Sequence, residues 1–557
     1  MALIVAIMFI RRSTATNKDG SKRVYFQLAE SVRVNGKPRN RVICSLGRAD
    51  DEATQTKIQK MAESLIEASE KHSLFHLADS LKAEASKEYG PFLVFQRLFK
   101  ETGLEEILKV AFSDAGAEFD ILQALFNLIL NRLTEPVSKR QMTLWESEVE
   151  GATEFDLHQY YRAMDHLIDH KDEIEQNIFF NQADLFHQEL DIVLFDTTSL
   201  VYYGDGPDAR GEDKPEDQQL LDYGFSKARR GDLKQIVVGI LMSKDGIPLA
   251  HETFSGNTND VKCFSQIIDQ LKHKYNVSNI ALVGDRGMIS KSNISEIEES
   301  GLKYILGYRM RTIGIEERKE VLKKANLRKL KNLELQFKEV DYRGQRLIVC
   351  YNRDRAEKDR EHRESEIAKL KEKLKSSSSL KQLISNPHHR KFLKINDEKT
   401  KAVLDLKKIK EDEIYDGIFV LTTNTRLSCL QVVERYKDLW QIEAGFRQLK
   451  SELQLGPIYH HKDRRIRAHV MICFMAFCLR VSLYKKLKSY FGQEKFSMTS
   501  LIRDLKALHA IELNIESKRL KLRTELREGT NHLFRAIGMR PPNRIIESEL
   551  NPVVKRL

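Results

Sequence analysis

Between residues 191 and 310 the apolar positions come in short blocks that alternate with helical periodicity. Residues 192–203, 235–242 and 247–254 read as three strands, with a Lys244-Asp245-Gly246 turn between the last two. A helix over 261–275, a strand over 280–285, a helix over 291–300 and a fifth strand over 304–308 follow. Three antiparallel-looking strands, then a helix, a strand, a helix and a fifth strand predict a mixed five-stranded sheet covered by helices. Upstream, residues 8–48 carry β-like runs with turn signals at Lys18-Asp19-Gly20 and Asn35-Gly36, whereas Ile121, Leu122, Leu125, Leu128, Ile129 and Leu133 recur at helical spacing within a helical region.

Two of the apolar blocks run into a carboxylate. Asp196 closes Ile192-Val193-Leu194-Phe195, and Asp285 closes Ile280-Ala281-Leu282-Val283-Gly284. The strand order is that of a ribonuclease-H-like core, whose next helix should carry a third acid. Such a helix, containing Glu443, arrives only after residues 311–428, which hold a hairpin-like pair around Arg343-Gly344, a charged helical stretch over 354–375, a Ser376–Ser379 linker and a strand over 417–422. The expected organisation is therefore a small basic β-rich module at 1–48, a helical region at 49–190, the first part of the core at 191–310, an inserted subdomain at 311–428, the core helix at 429–455 and a basic helical region at 456–557. The fold class is multidomain α/β.

The chain of 557 residues carries 92 Lys and Arg against 81 Asp and Glu, a net +11 that suits a polyanionic partner. Cys44, Cys263, Cys350, Cys429, Cys473 and Cys478 show no paired spacing, so neither a structural zinc site nor a disulfide framework is expected, and a reducing cytoplasm fits. The run 470–479 is cut by Arg480, short of the roughly 20 residues a spanning helix needs, so no membrane is expected. Phe9-Ile10-Arg11-Arg12 already reads as a first strand, which places the expected start of translation at Met8 rather than Met1.

The three acids are 89 and 158 residues apart, so only folding can gather them. Each alone has a plain reading: a carboxylate after a strand commonly forms a turn or caps a helix, and Glu443 alone could be a solvated helix residue. Together they form a hard oxygen ligand set for Mg²⁺, with Mn²⁺ able to substitute, of the kind that serves phosphodiester chemistry. On a continuous helix Leu439, Ile442, Phe446, Leu449 and Leu453 share an apolar stripe, and Tyr436, Glu443, Arg447 and Lys450 share the neighbouring one. Arg447, Lys450 and Arg286 are the expected phosphate ligands, with Tyr436 beside them as an expected DNA contact. His388-His389 and His460-His461 lack metal-ligand spacing, Cys473 and Cys478 fit a core helix, and the alternating signs over 354–375 fit an exposed helix rather than a nucleic-acid arm.

Asp196-Thr197-Thr198-Ser199, Tyr223-Gly224-Phe225-Ser226-Lys227, Phe254-Ser255-Gly256-Asn257-Thr258-Asn259-Asp260, Gly284-Asp285-Arg286-Gly287 and the segment from Tyr436 to Lys450 together resemble bacterial insertion-sequence transposases of the DDE class. The resemblance is narrower still, to the branch with a Y-x2-R-x3-E-x6-K helix and a domain inserted before the glutamate. It implies Asp196, Asp285 and Glu443 as catalytic metal ligands, with Tyr436 and Lys450 as the outer letters of the signature. Leu439 stands where the pattern has arginine. It further implies cut-and-paste movement of an element: cleavage at its terminal inverted repeats and attack of the freed 3′-hydroxyl on target DNA, in a homodimer holding both double-stranded ends, in a bacterial cytoplasm at the nucleoid. The alternatives are a ribonuclease-H-like nuclease or resolvase, and a DNA-binding derivative that has lost its chemistry.

Overall fold

The computed structural model describes residues 8–34, 37–185, 192–204, 219–227, 229–275, 280–324, 326–329, 335–375, 390–395, 402–515 and 518–548. The Asn35-Gly36 turn, the Ser376–Ser379 linker, His388-His389 and the first seven positions lie outside the described residues. The chain divides into two compact units: Met1–Ser86, Ala510–Arg523 and Asn543–Leu557 make one, Lys87–His509 and Thr524–Pro542 the other.

In the first unit β1 (Met8–Thr16), β2 (Lys22–Val34) and β3 (Lys37–Arg48) form an antiparallel meander, as the alternation predicts. Its first turn uses Gly20 at φ 82°, and Asp19 accepts the Ser21 amide at 3.0 Å. A helix over Glu52–Ser80 then leads into β4 (Leu81–Glu88), a strand inside the region expected to be wholly helical.

The second unit is built on one large mixed sheet. β5 (Ile192–Val201), β6 (Gln235–Ser243) and β7 (Pro248–Ser255) are antiparallel; β8 (Ala281–Gly284) and β9 (Lys303–Gly307) run parallel to β5, with helices Asp260–His273 and Lys291–Glu299 as the crossovers. This is the expected five-strand order. The sheet does not stop there, because β10 (Arg328–Lys329), β11 (Leu335–Tyr342), β12 (Gln345–Asn352) and β15 (Ile418–Thr423) continue it as β10-β11-β12-β15-β9-β8-β5-β6-β7. The inserted residues thus pair with the β9 edge and cover a row of backbone donors and acceptors that would otherwise be left open. A two-stranded hairpin, β13 (Leu393–Ile395) with β14 (Ala402–Leu404), and the helix Arg353–Lys375 complete the insertion.

Alternate residues of the core strands face opposite layers. Val193, Phe195, Leu241 and Leu282 pack under helices Asp260–His273 and Lys291–Glu299, while Leu194, Ile240, Val283 and Ile305 face the helices upstream of β5 and the long helix Asp463–Phe491. That helix is long and apolar enough to span a membrane by composition, but 94% of its most apolar stretch is buried in the protein's own core. Arg480, which interrupts the run, is buried and paired with Glu452.

The C-terminal region also differs from expectation. Beside its helices it forms β16 (His509–Ile515), β17 (Lys518–Arg523) and β18 (Ile545–Ser548), which join β4 in the order β18-β17-β16-β4. Ile511, Leu513 and Ile515 alternate with polar residues at period two, a strand signal too short to stand out in a basic segment.

Candidate active site

Asp196 is not at the end of its strand. β5 runs on to Val201, and Asp196 lies mid-strand opposite Ile240. It is exposed enough to reach solvent because β8, its neighbour on the other side, ends at Gly284. The parallel pairing of β5 and β8 has a constant offset, Ile192 with Ala281 and Leu194 with Val283, which is 281 − 192 = 89 residues. Since 285 − 196 is also 89, Asp285 leaves the sheet level with Asp196. The spacing that looked arbitrary along the chain is the sheet's own register.

Asp285 precedes a short 3₁₀ turn, Arg286–Met288, but its side chain makes no capping hydrogen bond there. The turn-former reading therefore does not account for the carboxylate. Oδ1 instead accepts the Tyr436 hydroxyl at 3.3 Å. Burial, then the nearby Asp285 charge, pushes the Tyr436 phenol well above its usual range, so it stays a donor.

Tyr436 and Glu443 are not on one continuous helix. A helix over Cys429–Lys437 ends at Asp438, and a second begins at Trp440, with Leu439 as the joint. Leu439 N donates to Tyr436 O at 3.3 Å and Ile442 N to Leu439 O at 3.1 Å, three-residue closures that tighten the chain at this point. Leu439 is thus the residue that packs at the break. Glu443 falls in the first turn of Trp440–Ser451, where the helix dipole favours a carboxylate, while Ile442, Phe446 and Leu449 are buried beneath it.

Asp196, Asp285 and Glu443 line one cavity of about 590 Å³, together with Arg286, Tyr436, Leu439 and Arg355. Burial pushes the Asp196 carboxyl up to about 6; Lys227 and the Thr197 amide oppose this, and the charges of Asp285 and Asp260 add to it. Among the described residues no group of three acidic, histidine or cysteine side chains stands close enough to hold one ion as it is. The donor set nevertheless fits a hard divalent cation. Three carboxylates face one cavity, Asp285 is not spent on capping, and Glu443 has no ion-pair partner among the described residues, so a cation would relieve the mutual repulsion.

The cavity shares Asp285, Arg286, Tyr308, Met310, Arg355 and Ile418 with a larger cleft of about 970 Å³, walled on the far side by the insertion. Arg229, Arg309, Arg311, Lys391, His362 and Arg363 line this cleft with Asp359, Glu366, Asp412 and Asp416. Arg363 is buried against Asp416, and Arg311 and Lys391 share Asp412. The first turns of Arg353–Lys375 are therefore a wall of the cleft, not a free solvated helix. Alternating signs hid this, because only one face of that helix is docked. Arg309 donates to the carbonyls of Arg286 and Gly287 at 3.0 and 2.9 Å and so braces the turn after Asp285.

Of the expected phosphate ligands, Arg286 lines both cavities, whereas Arg447 and Lys450 line neither. Lys450 donates instead to Ser199 O at 3.2 Å, behind Asp196. Residues that pattern reading did not single out are Lys227, Thr197, Asp260 and Arg355; the first three lie in motifs quoted above, which signalled a segment but not a role.

Residues 187–479, more than half of the chain, match the family model of the transposase DDE domain. The chain belongs to the DDE transposases. Residues 10–75 also match the N-terminal domain of the IS1634 family transposases, so the transposase is of the insertion-sequence kind. It is a DNA-binding enzyme that cuts and joins DNA, and enzymes of this family work with divalent metal ions. A solved piggyBac transposase synaptic complex with hairpin DNA is similar over 75% of this chain and 79% of that one, at 13% identity and a TM-score of 0.36, a loose likeness. No curated protein matches the chain.

Proposed function

We propose that Asp196, Asp285 and Glu443 are the catalytic carboxylates and that they hold Mg²⁺, with Mn²⁺ as a substitute, for cut-and-paste movement of an insertion sequence. What carries the reading is the convergence of three acids from β5, the end of β8 and the helix Trp440–Ser451 on one cavity, two of them in sheet register. When bound, the divalent cation supplies charge neutralisation for the attacking and leaving oxygens of the phosphodiester.

The chain's own residues divide the remaining work. Tyr436 orients Asp285 through its hydroxyl. Arg286 and Arg355, which border both cavities, offer guanidinium groups to the phosphates of a strand that enters through the larger cleft. Leu439 and the buried face of the Glu443 helix keep that carboxylate at the cavity rim. In this scheme water first cuts at the element's terminal inverted repeat, and the freed 3′-hydroxyl then attacks target DNA in the same site. Two ends have to be held for insertion, which calls for a homodimer. The first unit, the helices between residues 90 and 185 and the basic C-terminal residues share end recognition, target contact and dimerisation.

The test is Asp285→Asn. It should abolish Mg²⁺-dependent cleavage of a terminal-repeat duplex while DNA binding by gel shift persists, and unchanged cleavage would refute the site. A paired-end substrate with free 3′-hydroxyls should be joined to a target plasmid. Cutting without joining would favour a nuclease or resolvase.

A further inference from the structure

We propose that Lys227 and Asp260 are positioning residues for the cavity, acting through Thr197 and the turn after Asp285 rather than by touching the cation or DNA. None of Lys227, Thr197 and Asp260 lines the cavity that the three carboxylates share. They stand behind it, on the side where β5 meets the start of helix Asp260–His273. The proposal rests on the reading that Asp196 and Asp285 hold a divalent cation.

The contacts form a closed chain. Asp196 Oδ1 accepts the Thr197 amide at 2.7 Å and lies 3.8 Å from Lys227 Nζ, so one of its two oxygens is held from behind. Lys227 Nζ donates to Thr197 O at 2.6 Å and to Thr197 Oγ1 at 2.9 Å, and its backbone amide donates to Ser199 Oγ at 2.9 Å. The Thr197 hydroxyl in turn donates to Asp260 Oδ1 at 2.6 Å, and Lys227 Nζ is 3.8 Å from that same oxygen. One ammonium group thus ties the β5 backbone to two carboxylates.

Asp260 also reaches the other catalytic segment. A Cβ placed on Gly287 would lie 3.1 Å from Asp260 Oδ2, so this carboxylate packs against the Asp285-Arg286-Gly287 turn. Nor is it occupied as a helix cap: Asn259 caps that helix, accepting the Lys262 amide at 2.9 Å. Asp260 is therefore wedged between the segments that carry Asp196 and Asp285, with Lys227 balancing the two charges it brings together. As the first residue of that helix Asp260 also gains from the helix dipole, but the dipole does not account for its contacts with Thr197, Lys227 and the Gly287 turn. A brace that fixes the mutual position of the two catalytic carboxylates does.

Charge and position predict opposite signs, which makes the brace testable. By Coulomb's law alone, Lys227→Met removes a positive charge beside a ligand and should tighten cation binding, and the uncharged Thr197→Val should do nothing. If the residues position Asp196, both changes weaken binding. The measurement is Mn²⁺ titration calorimetry on the full-length protein near pH 8, with the unfolding midpoint recorded for each variant. Lys227→Met, Thr197→Val and Asp260→Asn should each weaken Mn²⁺ binding by about tenfold, the range found when residues supporting metal ligands are lost. The pair Lys227→Met with Thr197→Val should be no weaker than either alone, since both break one chain. Cleavage at saturating Mn²⁺ should recover towards the wild-type rate. Unchanged or tighter binding in Lys227→Met with a wild-type midpoint would overturn the brace. If Lys227→Met fails to fold, Thr197→Val decides, and unchanged binding there overturns it equally. Asp196→Asn separates the two readings: if it leaves Mn²⁺ affinity intact, it is the metal assignment itself that fails.

Discussion

Tyr436 donates its hydroxyl to Asp285 Oδ1 at 3.3 Å from the last turn of one helix, while Glu443 is carried by the next. The contact is possible because residue 307 is glycine. A Cβ there would lie 2.5 Å from the Tyr436 hydroxyl and 3.0 Å from the Arg286 amide nitrogen. Tyr436→Phe removes one hydrogen bond to a carboxylate and should slow cleavage by about ten- to a hundredfold, the range to which the roughly 1.5–3 kcal/mol such bonds are worth converts. Gly307→Ala should be more damaging, because it displaces the ring and the Arg286 turn together. Single-turnover cleavage of a terminal-repeat duplex ranks the two, and equal rates for wild type and Gly307→Ala would show that the contact does not matter.

The cations near the site should separate by position. Arg286 and Arg355 border both cavities, whereas Arg447 lines neither. Arg286→Ala and Arg355→Ala should each weaken DNA binding evenly across sequences and lower the slope of log affinity against log salt by about one. Arg447→Ala should leave that slope nearly unchanged. Fluorescence anisotropy over a salt series measures both quantities, and a reversed order would return Arg447 to the substrate path.

The carboxylates were legible in the sequence because burial and chemistry both mark them. An apolar block that ends in an acid is visible in one dimension, and the strand and helix order around Asp196 and Asp285 was recovered in full. What one dimension hid was pairing. The insertion's strands look like a separate subdomain along the chain, yet they extend the same sheet, since nothing in a strand's own residues says which edge it joins. The break at Leu439 escaped for a related reason. Periodicity counts residues at a uniform 100° each, and Tyr436 appeared to share a stripe with Glu443 only while the helix was taken as continuous. Lys227 and Asp260 were visible as motif letters, but their roles depend on contacts across 30 and 63 positions.

Glu146 gives the protein a pH-dependent stability unrelated to its chemistry. The side chain is buried in the helical layer, where Asn127 Nδ2 and the Phe155 amide donate to it at 3.2 and 3.1 Å, but no cation among the described residues does. Burial is the main cause that pushes its carboxyl up from 4.5 to about 7, the two hydrogen bonds pulling the other way. The folded state then binds a proton more tightly than the unfolded chain, so Glu146 costs nothing below pH 4.5 and its cost grows as pH rises to about 7. Above that the penalty is on the order of 2 kcal/mol after allowance for solvent screening. Glu146→Gln keeps an acceptor without the charge. It should therefore raise the unfolding midpoint at pH 8, leave it nearly unchanged at pH 4, and flatten the fall between them. Parallel pH profiles for the variant and the wild type would mean that Glu146 is ionised at no cost, and that a compensating partner has to be sought.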